Sequence, residues 1–85
     1  MTNILIVSNS RAIRYDRKVQ AIQRLYKGGN LRFKSPGDAL TGSVFDIILD
    51  FTEVYGMTAM EYDQYQEYQN VMKCRLKPGG ILLRL

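Results

Sequence analysis

The sequence predicts a small three-layer α/β fold: a mostly parallel four-stranded sheet in the order 2-1-3-4, with helices on both faces. Three observations carry this. Val44–Phe51 (Val-Phe-Asp-Ile-Ile-Leu-Asp-Phe) is an apolar run broken only by Asp46 and Asp50, the pattern of a strand covered on both faces. Asn3–Ser8 (Asn-Ile-Leu-Ile-Val-Ser) is a second such run near the start of the chain. Each is followed by an apolar stripe at helical spacing and then by a glycine pair, so strand and helix alternate as a parallel sheet requires.

Taken in order, Asn3–Ser8 is the first strand. Ala12, Tyr15, Val19, Ile22 and Tyr26 then recur at steps of three and four, one face of a helix that Leu25 widens. Ser10 or Asp16 can cap it; the first starts the helix directly after the strand, the second leaves an exposed loop. Gly28-Gly29 ends the helix. Asn30–Lys34 alternates apolar and basic residues, an edge strand with one wet face. Pro36-Gly37 and Thr41-Gly42 mark turns, with room between them for one helical turn over Asp38-Ala39-Leu40. Residues 35–44 are few for a crossover between parallel strands, so the direction of the second strand stays open at this level. After Val44–Phe51, Thr58-Ala59-Met60-Glu61 is a capping box, and the helix it opens buries Tyr65, Tyr68, Met72 and Leu76. Pro78-Gly79-Gly80 turns the chain into a last strand, Ile81–Leu85. With right-handed crossovers, this order gives the sheet 2-1-3-4 and places a ligand crevice beyond the carboxyl ends of strands 1 and 3.

Eighty-five residues make a single domain, 1–85, with a modest core. No apolar run approaches the length of a membrane span, and Met1-Thr2-Asn3-Ile4 has no basic leader, so neither a membrane nor a signal peptide is expected. Cys74 stands alone, which excludes an internal disulfide and fits the reducing cytoplasm, the host's for a viral protein. A chain with no histidine and one cysteine offers no usual zinc ligand set. The charge is segregated. Residues 1–34 hold Arg11, Arg14, Arg17, Lys18, Arg24, Lys27, Arg32 and Lys34 against Asp16 alone. Residues 35–72 hold Asp38, Asp46, Asp50, Glu53, Glu61, Asp63 and Glu67 with no lysine or arginine. Such blocks pair with each other, with a second copy, or with a charged partner.

The later part of the chain resembles a known family. Arg32-Phe33, Gly37-Asp38-Ala39-Leu40, Phe45-Asp46-Ile47-Ile48-Leu49 and Leu76-Lys77-Pro78-Gly79-Gly80-Ile81-Leu82 are similar to the core of class I S-adenosylmethionine-dependent methyltransferases, over residues 31–85. The resemblance implies a Rossmann-like fold, at most a reduced descendant of that family's. The cofactor-cradling glycine turn is here Ser8-Asn9-Ser10-Arg11, and the ribose-binding acid after the second strand is replaced by Lys34-Ser35, so methyl transfer is not implied. Ile4–Val7 with Asp46–Asp50 and Gly56-Met57 also resembles response-regulator receiver domains, though Ser8-Asn9 stand where the magnesium-binding acids would be. Ile4–Ser10, Tyr15–Val19 and Gly28-Gly29 resemble the opening of GT-B glycosyltransferases.

The candidate site is the crevice rim: Ser8, Asn9, Ser10, Arg11, Arg14, Arg17 and Lys18 after the first strand, and Asp50, Thr52, Glu53 and Tyr55 after the third. The arginines and Lys18 flank a helix start, where backbone amides favour an anion. Asp50 and Glu53 could act as an acid–base pair, but no histidine accompanies them, and Ser8, Ser10 and Cys74 have no histidine to activate them. The expectation is a non-catalytic interaction or regulatory protein, an inhibitor or adaptor of the kind a phage could encode. No catalytic residue, metal or cofactor is assigned. The partner is a protein, with self-association beside it; nucleic acid or nucleotide ranks behind. The alternative is a small nucleotide- or S-adenosylmethionine-binding enzyme, or enzyme fragment, completed by oligomerisation.

Overall fold

The computed structural model describes residues 2–40 and 42–85; Met1, and Thr41 of the expected Thr41-Gly42 turn, lie outside them. Four strands, β1 (Asn3–Val7), β2 (Asn30–Lys34), β3 (Phe45–Asp50) and β4 (Leu76–Arg84), form one sheet in the order β2-β1-β3-β4. Every neighbouring pair is parallel, β2 included. Two helices, α1 (Arg17–Leu25) and α2 (Ala59–Cys74), cover its opposite faces.

The central strands explain the continuous apolar runs. In β1, Leu5 and Val7 face α2, where they meet Leu40, Phe45, Ile48, Tyr68 and Met72; Ile4 and Ile6 face α1 and meet Val19 and Leu49. A strand with a layer on each side has no wet face on which to place polar residues. All four β1 side chains are essentially inaccessible, each contributing about 1.5–3 kcal/mol of hydrophobic stabilisation.

The connection from β2 to β3 is a strap with no helical turn at Asp38-Ala39-Leu40; Asp38 N–H donates to the Ser35 carbonyl at 3.0 Å and Ser43 N–H to the Leu40 carbonyl at 3.2 Å. Returning along a five-residue strand takes about 17 Å, and crossing two strand spacings about 10 Å. Ten residues reach at most roughly 33–36 Å, which leaves slack for turns and none for a helix, so a strap suffices. Leu40 takes the packing role of the missing helix on the α2 face, and the Tyr68 hydroxyl donates to the Asp38 carbonyl at 2.8 Å.

Three expectations are corrected. The stripe from Ala12 to Tyr26 is not one helix: Arg11–Tyr15 is a 3-10 turn capped by Ser10, and α1 starts afresh with Asp16 as its cap. Asp16 is extended (φ −64°, ψ 136°), which breaks the helical phase. Tyr15, Leu25 and Tyr26 therefore stay exposed, Val19 is the buried residue of α1, and Ile13 and Ile22 pack beside it. At the other end, Pro78-Gly79-Gly80 does not precede the last strand but lies within it. β4 begins at Leu76, paired with Phe45, and the register jumps before Ile81 pairs with Ile47. Proline without an amide and Gly79 at φ +79° form the irregularity. Leu76 consequently packs on the core from β4 and not from α2. The capping box of α2 is as read, with Glu61 N–H donating to Thr58 Oγ1 at 3.1 Å and Thr58 N–H to Glu61 Oε1 at 3.2 Å.

Candidate functional site

The sheet order brings the loops after β1 and β3 together at the carboxyl rim, and the two are clasped. Asn9 Nδ2 donates to the Glu53 carbonyl at 2.9 Å, and Glu53 N–H returns a bond to Asn9 Oδ1 at 3.1 Å. A primary amide offers both donor and acceptor, so one asparagine side chain imitates a rung of a β-ladder. Just inside, Phe51 N–H donates to the Val7 carbonyl at 2.8 Å. Ser8 is buried, and its hydroxyl accepts from Ser10 N–H at 3.0 Å; the Ser10 hydroxyl caps the 3-10 turn by accepting from Ala12 N–H. Both serines act as turn residues.

Asp50 and Thr52 are not on the accessible rim, where the sequence reading placed them. Both are buried, 2% and 4% exposed. Asp50 is the last residue of β3, and its carboxylate turns inward because it has partners there: the Tyr65 hydroxyl and Thr52 N–H at 3.0 Å. Burial, and then the bond to Asp50, push the Tyr65 hydroxyl above its ordinary range. A phenol held protonated this firmly serves as a donor to the carboxylate and is a poor proton source for chemistry at neutral pH. The Arg84 guanidinium lies 5.3 Å from the centre of the Tyr65 ring. The Thr52 hydroxyl is buried without a hydrogen-bond partner among the described residues. Glu53 stays exposed, and Tyr55 projects fully into solvent at 99%.

On the β2 side of the rim, Arg11, Arg14 and Lys34 line a depression of about 200 Å³ with Ser8, Ser10, Ser35, Phe33 and Asp38. Arg14 stacks on Phe33, 4.5 Å from the ring centre. Arg17 and Lys18 belong to the first turn of α1 and are not among its lining residues. The anion site expected at that helix start is filled by the chain itself, since Asp16 Oδ1 accepts from Lys18 N–H at 2.8 Å. Among the described residues the only ion pair is Lys77–Asp46, at 3.4 Å. The Asn3 backbone amide and then Lys77 hold the Asp46 carboxyl below its usual pKa. The basic block of residues 1–34 is thus not neutralised by internal ion pairs among those residues.

On the α2 side, a cavity of about 290 Å³ is lined by Asn9, Ser35–Gly37, Met57, Glu61, Gln64 and Tyr65. Asn9, Glu61 and Tyr65 already engage Glu53, Thr58 and Asp50. Deeper on this face, burial and then the nearby Asp38 and Asp50 carboxylates push the Tyr68 hydroxyl up to about 12. Sequence reading omitted Lys34, Ser35 and Asp38 from the rim. The signal was present: in the order 2-1-3-4, the end of strand 2 lies beside the end of strand 1. Tyr65 was classed as core, and nothing local to it marks its bond to Asp50, fifteen residues away.

Among the described residues no cluster of three or more Asp, Glu, Cys or His side chains could hold a metal ion, and no helix is long and apolar enough to cross a membrane. No protein-family model, curated protein or solved structure matches the chain.

Proposed function

We propose that this chain is a non-catalytic binding module, an inhibitor or adaptor that grips an acidic protein surface with its carboxyl rim. The observation that carries the reading is the basic depression: Arg11, Arg14 and Lys34 line it with no ion-pair partner among the described residues, and the rings of Tyr15 and Tyr55, in the segments after β1 and β3, are exposed. Arginine and tyrosine supply most of the energy at protein interfaces, and an acidic counter-surface would complete the charges that the fold leaves open. Asp38, on the same lip, makes no ion pair with those cations; its carboxylate accepts from Ser35 N–H at 2.8 Å. The carboxylate and phenol that might have done chemistry are engaged with each other inside the protein.

The second reading, a small nucleotide- or S-adenosylmethionine-binding protein, draws on the cavity of about 290 Å³ at the same rim. Its polar walls are largely engaged within the fold, which favours the first reading.

Two experiments run together test the choice. Partners are captured from the native host's extract by cross-linking, and each recovered protein is titrated against the wild-type chain and Arg11→Glu/Arg14→Glu. Both arginines are exposed, so the double variant should keep its fold, giving up only the Arg14–Phe33 stack of about 0.5–1 kcal/mol, while losing about 2 kcal/mol or more of binding, roughly thirtyfold. Loss of stability with partners retained defeats the assignment. Calorimetric titration with S-adenosylmethionine, S-adenosylhomocysteine, ATP and GTP runs alongside, and low-micromolar binding of any of them moves the conclusion to the second reading.

A further inference from the structure

The two edges of the sheet are unequal. β2 carries Arg32 and Lys34, and Arg32 is tied to the Ser43 hydroxyl at 2.8 Å. Charges on an edge strand discourage pairing with another chain. The β4 edge lacks this protection. Ile81, Leu83 and Leu85 alternate along it and are 52%, 49% and 53% exposed. Leu82 packs into the α2-side core, so its odd-numbered neighbours face the other way, alongside their register partners Ile47 and Leu49 on the α1 side. The apolar strip is therefore a continuation of the α1-side core onto which α1 does not reach. Arg84, the one charge in 80–85, has its guanidinium at the Tyr65 ring, on the opposite face.

The backbone of this edge is free as well. Leu85 N–H donates to the Asp50 carbonyl at 2.8 Å. In a parallel ladder alternate residues bond to alternate sides, so the amides and carbonyls of Gly80, Leu82 and Arg84 point outward. Pro78 and the irregularity at Gly79 confine any further pairing to residues 80–85.

We propose that this edge binds a second copy of the chain, β4 against β4 in antiparallel across a two-fold axis near Leu83, giving one continuous eight-stranded sheet. The strip is self-complementary in that arrangement, with Leu83 beside its own copy and Ile81 beside Leu85 of the other chain. Charge selects the antiparallel sense. Along α2 the exposed acids Glu61, Asp63 and Glu67 come first and Lys73 comes at the end, followed by Arg75 and Lys77. A two-fold sets the two α2 helices antiparallel on one face of the joined sheet, acidic start toward basic end; a parallel join sets like against like. The surface shares no residue with the basic depression, so it stands or falls separately from the rim reading.

The test is sedimentation velocity across the micromolar range, with hydrogen exchange at the same concentrations. A monomer–dimer equilibrium is expected, in which the Leu82 and Arg84 amides slow as concentration rises. Leu31 and Phe33, whose amides face outward from β2, should keep one rate. Leu83→Lys should weaken the dimer by roughly tenfold or more, whereas Leu25→Lys, at a still barer apolar site on α1, should leave it unchanged. A strict monomer, a dimer without protection at Leu82 and Arg84, or a dimer indifferent to Leu83→Lys overturns the proposal. The exchange measurement on the wild-type chain decides the matter even if Leu83→Lys does not fold.

Discussion

Replacing Tyr65 by phenylalanine isolates the bond that keeps Asp50 inside the protein. The ring, its packing and its contact with Arg84 survive; only the hydroxyl goes. Asp50 is 2% exposed and would be left with the Thr52 amide as its remaining donor. A hydrogen bond to a charged group contributes about 1.5–3 kcal/mol, and stranding a buried charged acceptor costs at least as much. Taking about 2 kcal/mol, a domain of this size should melt about 8–16 °C lower. The complementary change, Asp50→Leu, keeps the branched shape and leaves the Tyr65 hydroxyl and Thr52 amide unpaired. Combined, the two substitutions remove both partners, and the double variant should be more stable than the sum of the single losses by about 1–2 kcal/mol. Urea unfolding of the four proteins closes the cycle. A coupling indistinguishable from zero would mean that the two side chains do not depend on each other, and the description of Asp50 as a committed structural carboxylate would fail.

Three further outcomes are expected. Thr52→Val removes a buried hydroxyl without a partner and should stabilise the protein by about 1 kcal/mol; a loss in the same denaturation assay would show that the hydroxyl is satisfied. The hydroxyl of Tyr68, pushed up to about 12, and that of Tyr65, also raised, favour the folded state below the ordinary tyrosine pKa of about 10. That contribution should disappear as pH rises from about 10 to about 12, by no more than about 2 kcal/mol for Tyr68 once solvent screening is allowed for, and Tyr68→Phe should flatten the alkaline limb of the melting curve. A methyl at Gly80 would meet the Asp46 carbonyl and the Leu76 side chain at 2.9 Å, so Gly80→Ala should cost about 1–3 kcal/mol. Gly79→Ala has open space but a left-handed backbone and should cost about 1–2 kcal/mol; thermal melts measure both losses.

The fold was readable where one interaction dominates. Ile4–Val7 and Ile47–Leu49 have apolar side chains on both sides, and only a strand between two layers accommodates that. Thr58 and Glu61 announce the start of α2 because the cap is a local exchange of bonds. The first helix misled because periodicity counts residues and ignores the cap: Ser10 and Asp16 were both plausible starts, and the chain uses both, shifting Tyr15 off the face of Val19. Leu76 was misassigned for a related reason, since nothing in Leu-Lys-Pro-Gly-Gly says whether its proline ends a loop or sits in an irregular edge strand. At the rim, Asn9, Arg11 and Arg14 fell where the order of strands put them. Asp50 and Thr52 did not, because the direction a side chain takes at the end of a strand depends on a tyrosine fifteen residues away.

The strap between β2 and β3 has a consequence for how the chain can assemble. Leu40 and the Asp38 carbonyl both reach α2, and the carbonyl's partner lies thirty residues later in the chain. The first half of the protein supplies part of what holds the strap, Leu5 and Val7 against Leu40 and Arg32 against the Ser43 hydroxyl, and α2 supplies the rest. Closing a loop of that span costs entropy before any contact repays it, so the strap should gain its full set of contacts only once α2 has docked on the sheet. Translation from the amino terminus makes β1, β2 and the strap before α2, so the opening half of the chain should wait for that helix to be covered.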